Sequence, residues 1–405
     1  MDIGSTLQVL RDPAGIPSHP LVFQVLMVFT WIFHILFVNI ALGAAAMALI
    51  GFRRRIDPHW QRLSMAMTKV AKVSVSLLVV LGVAPLLFTQ VIYDPQWYTS
   101  NVLSAGWAIA FIFTLIIGYS SWFVFYFRNK EGAGAGVFWF GALGLAMFLL
   151  DGFIMHALSY QALLPEQWMD WYAPNGEVDM SGSAIHAWQT ARGLFFLAMS
   201  AVVFGAFLLA YGDYFSVRED RPADYLAFAR RLGGRIGGIG AGIAFVLLVF
   251  WLAGVPGDLG MWTHPITLLL GLYLLVLTFG LWRRRDGEPG GGYLMMLLAS
   301  GMAALVAIFR EALRMAYMQP FGYDALDYKV MADYPSTVLF FLTLLGVGGL
   351  VGGFYLATLY RAGRTEGVYQ ADATVARLGT GAVGILIVWV AVFFLTGIWV
   401  WTSNV

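Results

Sequence analysis

Apolar residues fall into long runs that recur from one end of the chain to the other. A membrane-spanning helix needs about 20 consecutive apolar residues to cross ~30 Å of hydrocarbon. Runs of this length predict about ten transmembrane helices, with boundaries good to a few residues. They cover residues 21–50, 69–93, 101–127, 135–160, 185–211, 234–254, 265–282, 291–316, 336–360 and 377–401.

The polar connections between these runs alternate in charge. The basic set is predicted to face the cytoplasm, because cytoplasmic loops carry an excess of Lys and Arg. It comprises Arg53–Arg55, Arg128–Lys130, the segment 218–235, Arg283–Arg285, and Arg361 with Arg364. The opposite set is acidic and aromatic, as in YDPQWYTSN and GYDALDYKVMADYPS. This alternation predicts that both termini lie outside.

Composition agrees with a membrane location and excludes several classes of protein. Hydrophobic residues make up 60% of the 405 residues, charged residues 12%, and the mean hydropathy is +0.75, whereas soluble domains are about half apolar. No polar stretch is long enough for a separate soluble domain, so a single membrane domain over 1–405 is predicted. The absence of cysteine excludes cysteine-ligated iron–sulfur clusters and c-type haem on this chain. The net charge of +1 gives no reason to expect nucleic acid as a partner.

Four of the six histidines are predicted to approach the outer face of the membrane. His34 lies in the outer half of the first span and His156 near the outer end of the fourth. His186 and His264 open the fifth and seventh spans. A single membrane histidine is more often an interhelical hydrogen-bond partner than a ligand. Four at one depth favour ligands of haem iron, because imidazole is a common axial ligand and helix bundles hold macrocycles between facing side chains.

Ionisable residues within the predicted spans are costly and therefore usually functional. Asp151, in the fourth span, is a candidate proton relay. Arg192, Arg310 and Arg314 lie near the outer ends of the fifth and eighth spans, where guanidinium groups would suit haem propionates. The alternative is that these arginines pair with Glu311 in an internal network or extend to the surface.

Four segments resemble, in order and spacing, the first five helices of subunit I of cytochrome bd-type quinol oxidases. They are WIFHILFVNIALG, LGVAPLLFTQVIYDPQWYTSNVLSAGWAI, GFIMHALSYQ and IHAWQTARGLFFLAMSAVVFGAFLLA. The resemblance covers residues 1–211, whereas 212–405 form a second half in which only STVLFFLTLLGVGGLVGGFYLATLYR is similar to a family helix. It implies an all-α polytopic membrane protein built from bd-like four-helix bundles. It also implies that His34 holds a high-spin haem b and His186 a low-spin haem b.

The chain also departs from that family. Family glutamates that serve oxygen reduction and proton supply have no counterpart, since no acidic residue occurs in 95–129. In a later helix the family has an arginine and a haem-ligating methionine, where this chain has Leu342 and Leu344. The low-spin haem would therefore need another sixth ligand, and His264 is the candidate. A long quinol-binding loop is replaced by LAGVPGDLGMWTHP. The family usually has other polar residues at the position of His156, so a histidine ligand there would be an addition by this branch of the family.

These features predict a subunit of a membrane oxidoreductase complex that contains two or more haems b near the outer face. It would move electrons between a membrane quinone and a periplasmic redox protein, such as a c-type cytochrome, in the bacterial inner membrane alongside other membrane subunits. Two alternatives stay open. One is an oxygen-reducing terminal oxidase in which Asp151 replaces the lost carboxylates. The other is a haem-free assembly or transport subunit whose histidines only pack.

Overall fold

The computed structural model describes residues 2–403, whose regular structure is helical apart from one isolated bridge between Ile16 and Val330. The α-helices are α1 (Ile3–Val9), α2 (Pro20–Arg53), α3 (Pro58–Ile92), α4 (Asp94–Leu103), α5 (Ala105–Arg128), α6 (Val137–Gln161), α7 (Trp168–Tyr172), α8 (Thr190–Phe215), α9 (Ala223–Ala253), α10 (Pro265–Trp282), α11 (Gly292–Met318), α12 (Tyr334–Phe341), α13 (Gly348–Gly363) and α14 (Ala373–Ser403).

Ten helical segments within residues 2–403 are long and apolar enough to cross a membrane. They are α2, α3, α5, α6, α8, α9, α10, α11 extended to Phe321, the continuous segment Tyr334–Gly363, and α14. The prediction of an all-α, multi-pass membrane protein is therefore confirmed. The orientation of the termini stays a prediction.

Local capping explains why the second span begins at Pro58, well before the predicted residue 69. The Asp57 carboxylate accepts a hydrogen bond from the His59 amide at 2.8 Å, and proline occupies the first helical position. Both features favour a helix start. The polar residues after Pro58 therefore extend the helix beyond its apolar run.

The fifth span begins later than predicted, at Thr190 instead of residue 185. Side chains of α6 bind the preceding backbone amides, since His186 N donates to Gln161 Oε1 at 2.7 Å and Gln189 N donates to His156 Nε2 at 3.2 Å. These amides are held in an irregular segment. His186 and Gln189 therefore lie outside α8, whereas Arg192 lies in its first turn.

One compact unit comprises the chain up to Asp12, Leu21–Asp213 and Pro222–Asp327. Within it α5 packs along α6, and α10 lies against both α9 and α11. Helices α8 and α9 come very close, because a Cβ at Gly205 would lie 2.5 Å from the Gly237 backbone. Large side chains such as Trp122, Trp251 and Phe195 fill the core. This unit contains every candidate site residue.

The other unit comprises Pro13–Pro20, Tyr214–Arg221 and the chain from Tyr328 onward. Helices α12 and α13 are joined without a break by the π-helical turn Leu342–Val347, and α13 packs along α14. Trp389 Nε1 donates a hydrogen bond to Thr343 Oγ1 at 2.6 Å, which ties α14 to this turn. A single membrane domain, and its division after residue 211, stay predictions.

Candidate functional site

The His34 imidazole, carried by α2, contacts the backbone of α3. Its Nδ1 is 2.9 Å from the carbonyl oxygen of Leu78, and only a protonated Nδ1 can donate to that acceptor. Gly82 makes the close approach feasible, because a Cβ there would lie 2.8 Å from His34 Cε1. Within residues 2–403, His34 Nε2 has no hydrogen-bond partner, and the ring is half-buried. The lone pair of Nε2 therefore stays available.

Three arginines from two helices converge on a small cavity. Arg192 of α8 and Arg310 and Arg314 of α11 line a space of about 20 Å³, together with Trp251 and Ser159. This volume accommodates about one water molecule. Arg192 is 4% exposed, so its guanidinium group is removed from any solvent.

A single carboxylate stands against these three positive charges. Glu311 is 6% exposed and lies 3.1 Å from Arg314 Nη1. Its Oε1 also accepts hydrogen bonds from Tyr93 at 2.6 Å and from Gln24 Nε2 at 2.8 Å. Among residues 2–403 neither Arg192 nor the neighbouring Arg310 forms a salt bridge. Two positive charges are thus in excess in this arginine cluster (Arg192, Arg310, Arg314 and Glu311).

The arginine cluster is connected to two of the candidate histidines. Arg310 lies close enough to His34 and to His156 for its charge to act on both imidazoles. Arg192 Nη1 donates to the His156 carbonyl oxygen at 3.0 Å and lies 3.2 Å from His156 Nδ1. The other ring nitrogen of His156 accepts from Gln189 N. Both nitrogens of His156 therefore have protein neighbours, and iron ligation would require one of them to be released.

His186 lies outside the arginine cluster, in the irregular segment before α8. Its ring stacks on Trp171 with a centroid separation of 5.2 Å, and its Nε2 is 3.2 Å from the Leu103 carbonyl oxygen. Its backbone amide is fixed by Gln161. The ring is half-buried, and Nδ1 has no hydrogen bond within residues 2–403.

His264 caps the start of α10. Its Nδ1 accepts a hydrogen bond from the Ile266 amide at 3.3 Å, and its side chain is exposed. No hydrogen bond or ring contact joins it to His186 among the residues described. The pairing of these two histidines on one iron stays a prediction.

An open cleft of about 340 Å³ lies beside the arginine cluster. Its lining includes Tyr160, Tyr317, Glu166 and Asp258. The ring of Tyr160 also lies 5.8 Å from the Arg192 guanidinium group, so Tyr160 borders both features. The cleft joins polar and aromatic side chains at the ends of α6, α9 and α11.

Comparison with solved structures finds a similar architecture in a bd oxidase. A bd oxidase from Geobacillus thermodenitrificans matches 93% of this chain and 98% of its own, with a TM-score of 0.54 and 13% sequence identity. The fold is that of a bd oxidase chain. The predicted distant resemblance is thereby confirmed as one of fold. No family model matches the chain, and no curated protein matches it.

Several residues of the candidate site were not found from the sequence. Gly82 and the Leu78 carbonyl support His34, while Tyr93 and Gln24 hold Glu311. Gln161 fixes the backbone at His186. Of these residues only Gly82 could have been noticed in the sequence, because it is the only glycine in α3. Within residues 2–403 no three His, Asp or Glu side chains form a ready site for a bare metal ion.

Proposed function

We propose that this chain is a haem b electron-transfer subunit of a membrane oxidoreductase complex. It moves electrons between a membrane quinone and a periplasmic partner, such as a c-type cytochrome, in the bacterial inner membrane. The observation that carries this proposal is the arginine cluster, with its two excess positive charges beside His34 and His156. Buried charge of this kind requires a compensating anion. The paired propionates of a haem have the matching charge.

The donor set fits a haem. His34 Nδ1 is engaged by the Leu78 carbonyl, which fixes the tautomer and leaves Nε2 to face iron, as is usual for metal-binding histidines. Arg192, Arg310 and Arg314 can donate charge-assisted hydrogen bonds to carboxylates. His186 is the candidate ligand of a second haem, through its unpartnered Nδ1 or after Nε2 leaves Leu103. A bound haem supplies reversible one-electron transfer.

The excess positive charge also affects the relative stability of the oxidised and reduced states of a neighbouring redox group. Positive groups stabilise the more negative state of a neighbour, and a reduced group carries one more electron than its oxidised form. Arg310 and Arg192 therefore favour the reduced state of whatever redox group lies beside them. Their burial strengthens this effect, since screening by water and salt is weak there.

The cleft beside Tyr160 supports a quinone as a second ligand. Tyr160, Tyr317 and Glu166 present hydroxyl and carboxylate groups that can hydrogen-bond to a quinone or quinol ring. Phe321 and the proline residues of the lining offer apolar contact. Tyr160 borders both the cleft and Arg192, so a quinone bound in the cleft would lie next to the arginine cluster.

An oxygen-reducing subunit is the second candidate, since the fold matches that of a bd oxidase. In this case Asp151 would supply the carboxylate that α5 lacks between Ala105 and Arg128. Oxygen consumption by the purified complex with a reduced quinol distinguishes the two. Quinol-dependent reduction of a c-type cytochrome without oxygen uptake supports electron transfer, whereas sustained oxygen uptake supports the oxidase.

The decisive experiment is a haem assay on the purified chain, produced with an adequate haem supply. Pyridine haemochrome and reduced-minus-oxidised spectra should show haem b, and His34→Ala and His186→Ala should each remove about one haem. His59→Ala is the matched control, because His59, at the start of α3, is bonded to Asp224, away from the cluster. A wild-type chain without a Soret band, or full haem in both site variants, contradicts the proposal.

A further inference from the structure

Asp151 is a carboxylic acid side chain enclosed between α5 and α6. It is 6% exposed. One of its oxygens, Oδ1, contacts the hydroxyl of Thr114 on α5. The other, Oδ2, is fully buried and has no hydrogen-bond partner within residues 2–403.

Among residues 2–403 no positive charge is paired with Asp151, because it forms no salt bridge there. Helix α5, which packs along it, carries no ionisable side chain of either sign between Ala105 and Gly118. On α6 itself the nearest titratable neighbour is His156, which is bonded to Arg192 and Gln189. An ionised carboxylate here would be isolated in an apolar environment, which is strongly unfavourable.

The count of hydrogens around Thr114 gives an independent argument. Its hydroxyl has one hydrogen but lies within hydrogen-bond distance of three oxygens, namely Asp151 Oδ1, the Ala110 carbonyl at 2.9 Å and the Phe111 carbonyl at 3.1 Å. Neither an ionised carboxylate nor a carbonyl can donate, so with Asp151 ionised this one hydrogen would have to serve all three oxygens. If Asp151 carries the proton, its O–H donates to Thr114 Oγ1, and the Thr114 hydroxyl donates to the two carbonyls of its own helix as one shared hydrogen bond.

The same assignment explains the unpartnered Oδ2. In a protonated acid this atom is a neutral carbonyl oxygen, which costs less to bury without a partner than a charged carboxylate oxygen does. A metal cation does not suit the position, because hard cations take six or more oxygen ligands and Asp151 has one polar neighbour on α5.

We propose that Asp151 and Thr114 form a proton-binding site within the membrane, in which Asp151 is a neutral acid that donates to Thr114. The ligand is a single proton. It is taken from water, forms an O–H bond with the carboxylate and leaves by the reverse step, so charge and atoms balance. The site does not depend on haem.

Infrared spectroscopy of the full chain in lipid vesicles at neutral pH tests this proposal. The C=O stretch of a protonated carboxylic acid is separate from carboxylate bands and shifts when H is replaced by D. Wild type minus Asp151→Asn should show one such band, and it should shift in D₂O. Thr114→Val should keep the band but move it to higher frequency, because the acid loses its acceptor. Thr114→Ser should leave it nearly unchanged.

Two outcomes would overturn the proposal. If the spectrum of Asp151→Asn lacks only carboxylate bands, Asp151 is ionised. If the acid band is present but never shifts in D₂O, the proton is not exchangeable and the site is purely structural. Asp258→Asn provides the matched control, because Asp258 is an exposed carboxylate in the cleft and its loss should leave the acid band unchanged. Thermal unfolding of each variant identifies any that fails to fold.

Discussion

Replacing Gly82 by alanine should disturb His34 specifically. The new methyl carbon would lie 2.8 Å from His34 Cε1 and 2.9 Å from Nδ1, and both distances are far below van der Waals contact. The imidazole and the methyl group sit on two packed helices, so the ring must tilt away from α3. Tilting lengthens the 2.9 Å hydrogen bond between Nδ1 and the Leu78 carbonyl, which is the bond that fixes the tautomer.

The size of the effect follows from three opposing contributions. Inserting a methyl group into a packed contact costs about 1–3 kcal/mol, and loss of one hydrogen bond costs about 1 kcal/mol. Alanine regains up to about 1 kcal/mol because it favours a helix over glycine. The folded state should therefore lose roughly 1–3 kcal/mol. If His34 binds iron, losing its supporting bond should weaken haem binding by about 10–100-fold.

The assay measures haem content, the reduced-minus-oxidised spectrum and thermal unfolding of the purified variant. Gly384→Ala is the matched control, since nothing lies within 4 Å of a Cβ at Gly384 in α14. It should retain the spectrum and gain slightly in stability. If Gly82→Ala shows wild-type haem content, spectrum and unfolding temperature, the reasoning is refuted. If the unfolding temperature falls but the spectrum is intact, Gly82 is only a packing residue and His34 is not a ligand of iron.

Three further predictions concern residues that support the candidate site. Glu311→Gln removes the carboxylate that pairs with Arg314 and should destabilise the protein by about 3–5 kcal/mol, measured by thermal unfolding. Adding Arg314→Gln should restore part of the loss. Gln161→Leu removes the acceptor that holds the His186 amide and should alter the spectral signal of one haem while leaving the His34 signal unchanged. Gly205→Val would place a side chain 2.5 Å from the α9 backbone and should cost about 1–3 kcal/mol or more, seen as reduced yield and a lower unfolding temperature.

Hydropathy predicted the spans because the length of an apolar run directly reports the thickness that it can cross. The ends of the spans depend on polar contacts that hydropathy does not measure. At Pro58 a capping carboxylate from Asp57 lengthened the helix. Before Thr190, the side chains of Gln161 and His156 accept hydrogen bonds from the His186 and Gln189 amides, and a hydropathy pattern reveals neither contact.

In the candidate site, too, some features could be predicted from the sequence and others could not. Arg192, Arg310 and Arg314 could be predicted one by one, since an intramembrane charge is conspicuous in any sequence. Their convergence depends on how α8 and α11 are rotated about their axes, which a periodic apolar pattern constrains only weakly in a helix that is apolar all round. Partners such as Thr114 and Tyr93 are ordinary residues by type. Their importance comes from the carboxylates that they face, and no single-sequence signal identifies such pairs.

Aromatic rings surround the arginine cluster. Arg310 lies 4.2 Å from the ring centroid of Trp31, and Arg314 lies 4.5 Å from that of Tyr93. Each cation–π contact contributes about 0.5–2 kcal/mol, whereas removing an ion from water costs several kcal/mol. Aromatic faces therefore reduce the cost of burial without neutralising the charge. Within the cluster, Glu311 is one carboxylate against three arginines. On the proposed function, the propionates of a haem would balance the remaining positive charge of Arg192 and Arg310, whose charges act on His156 and His34.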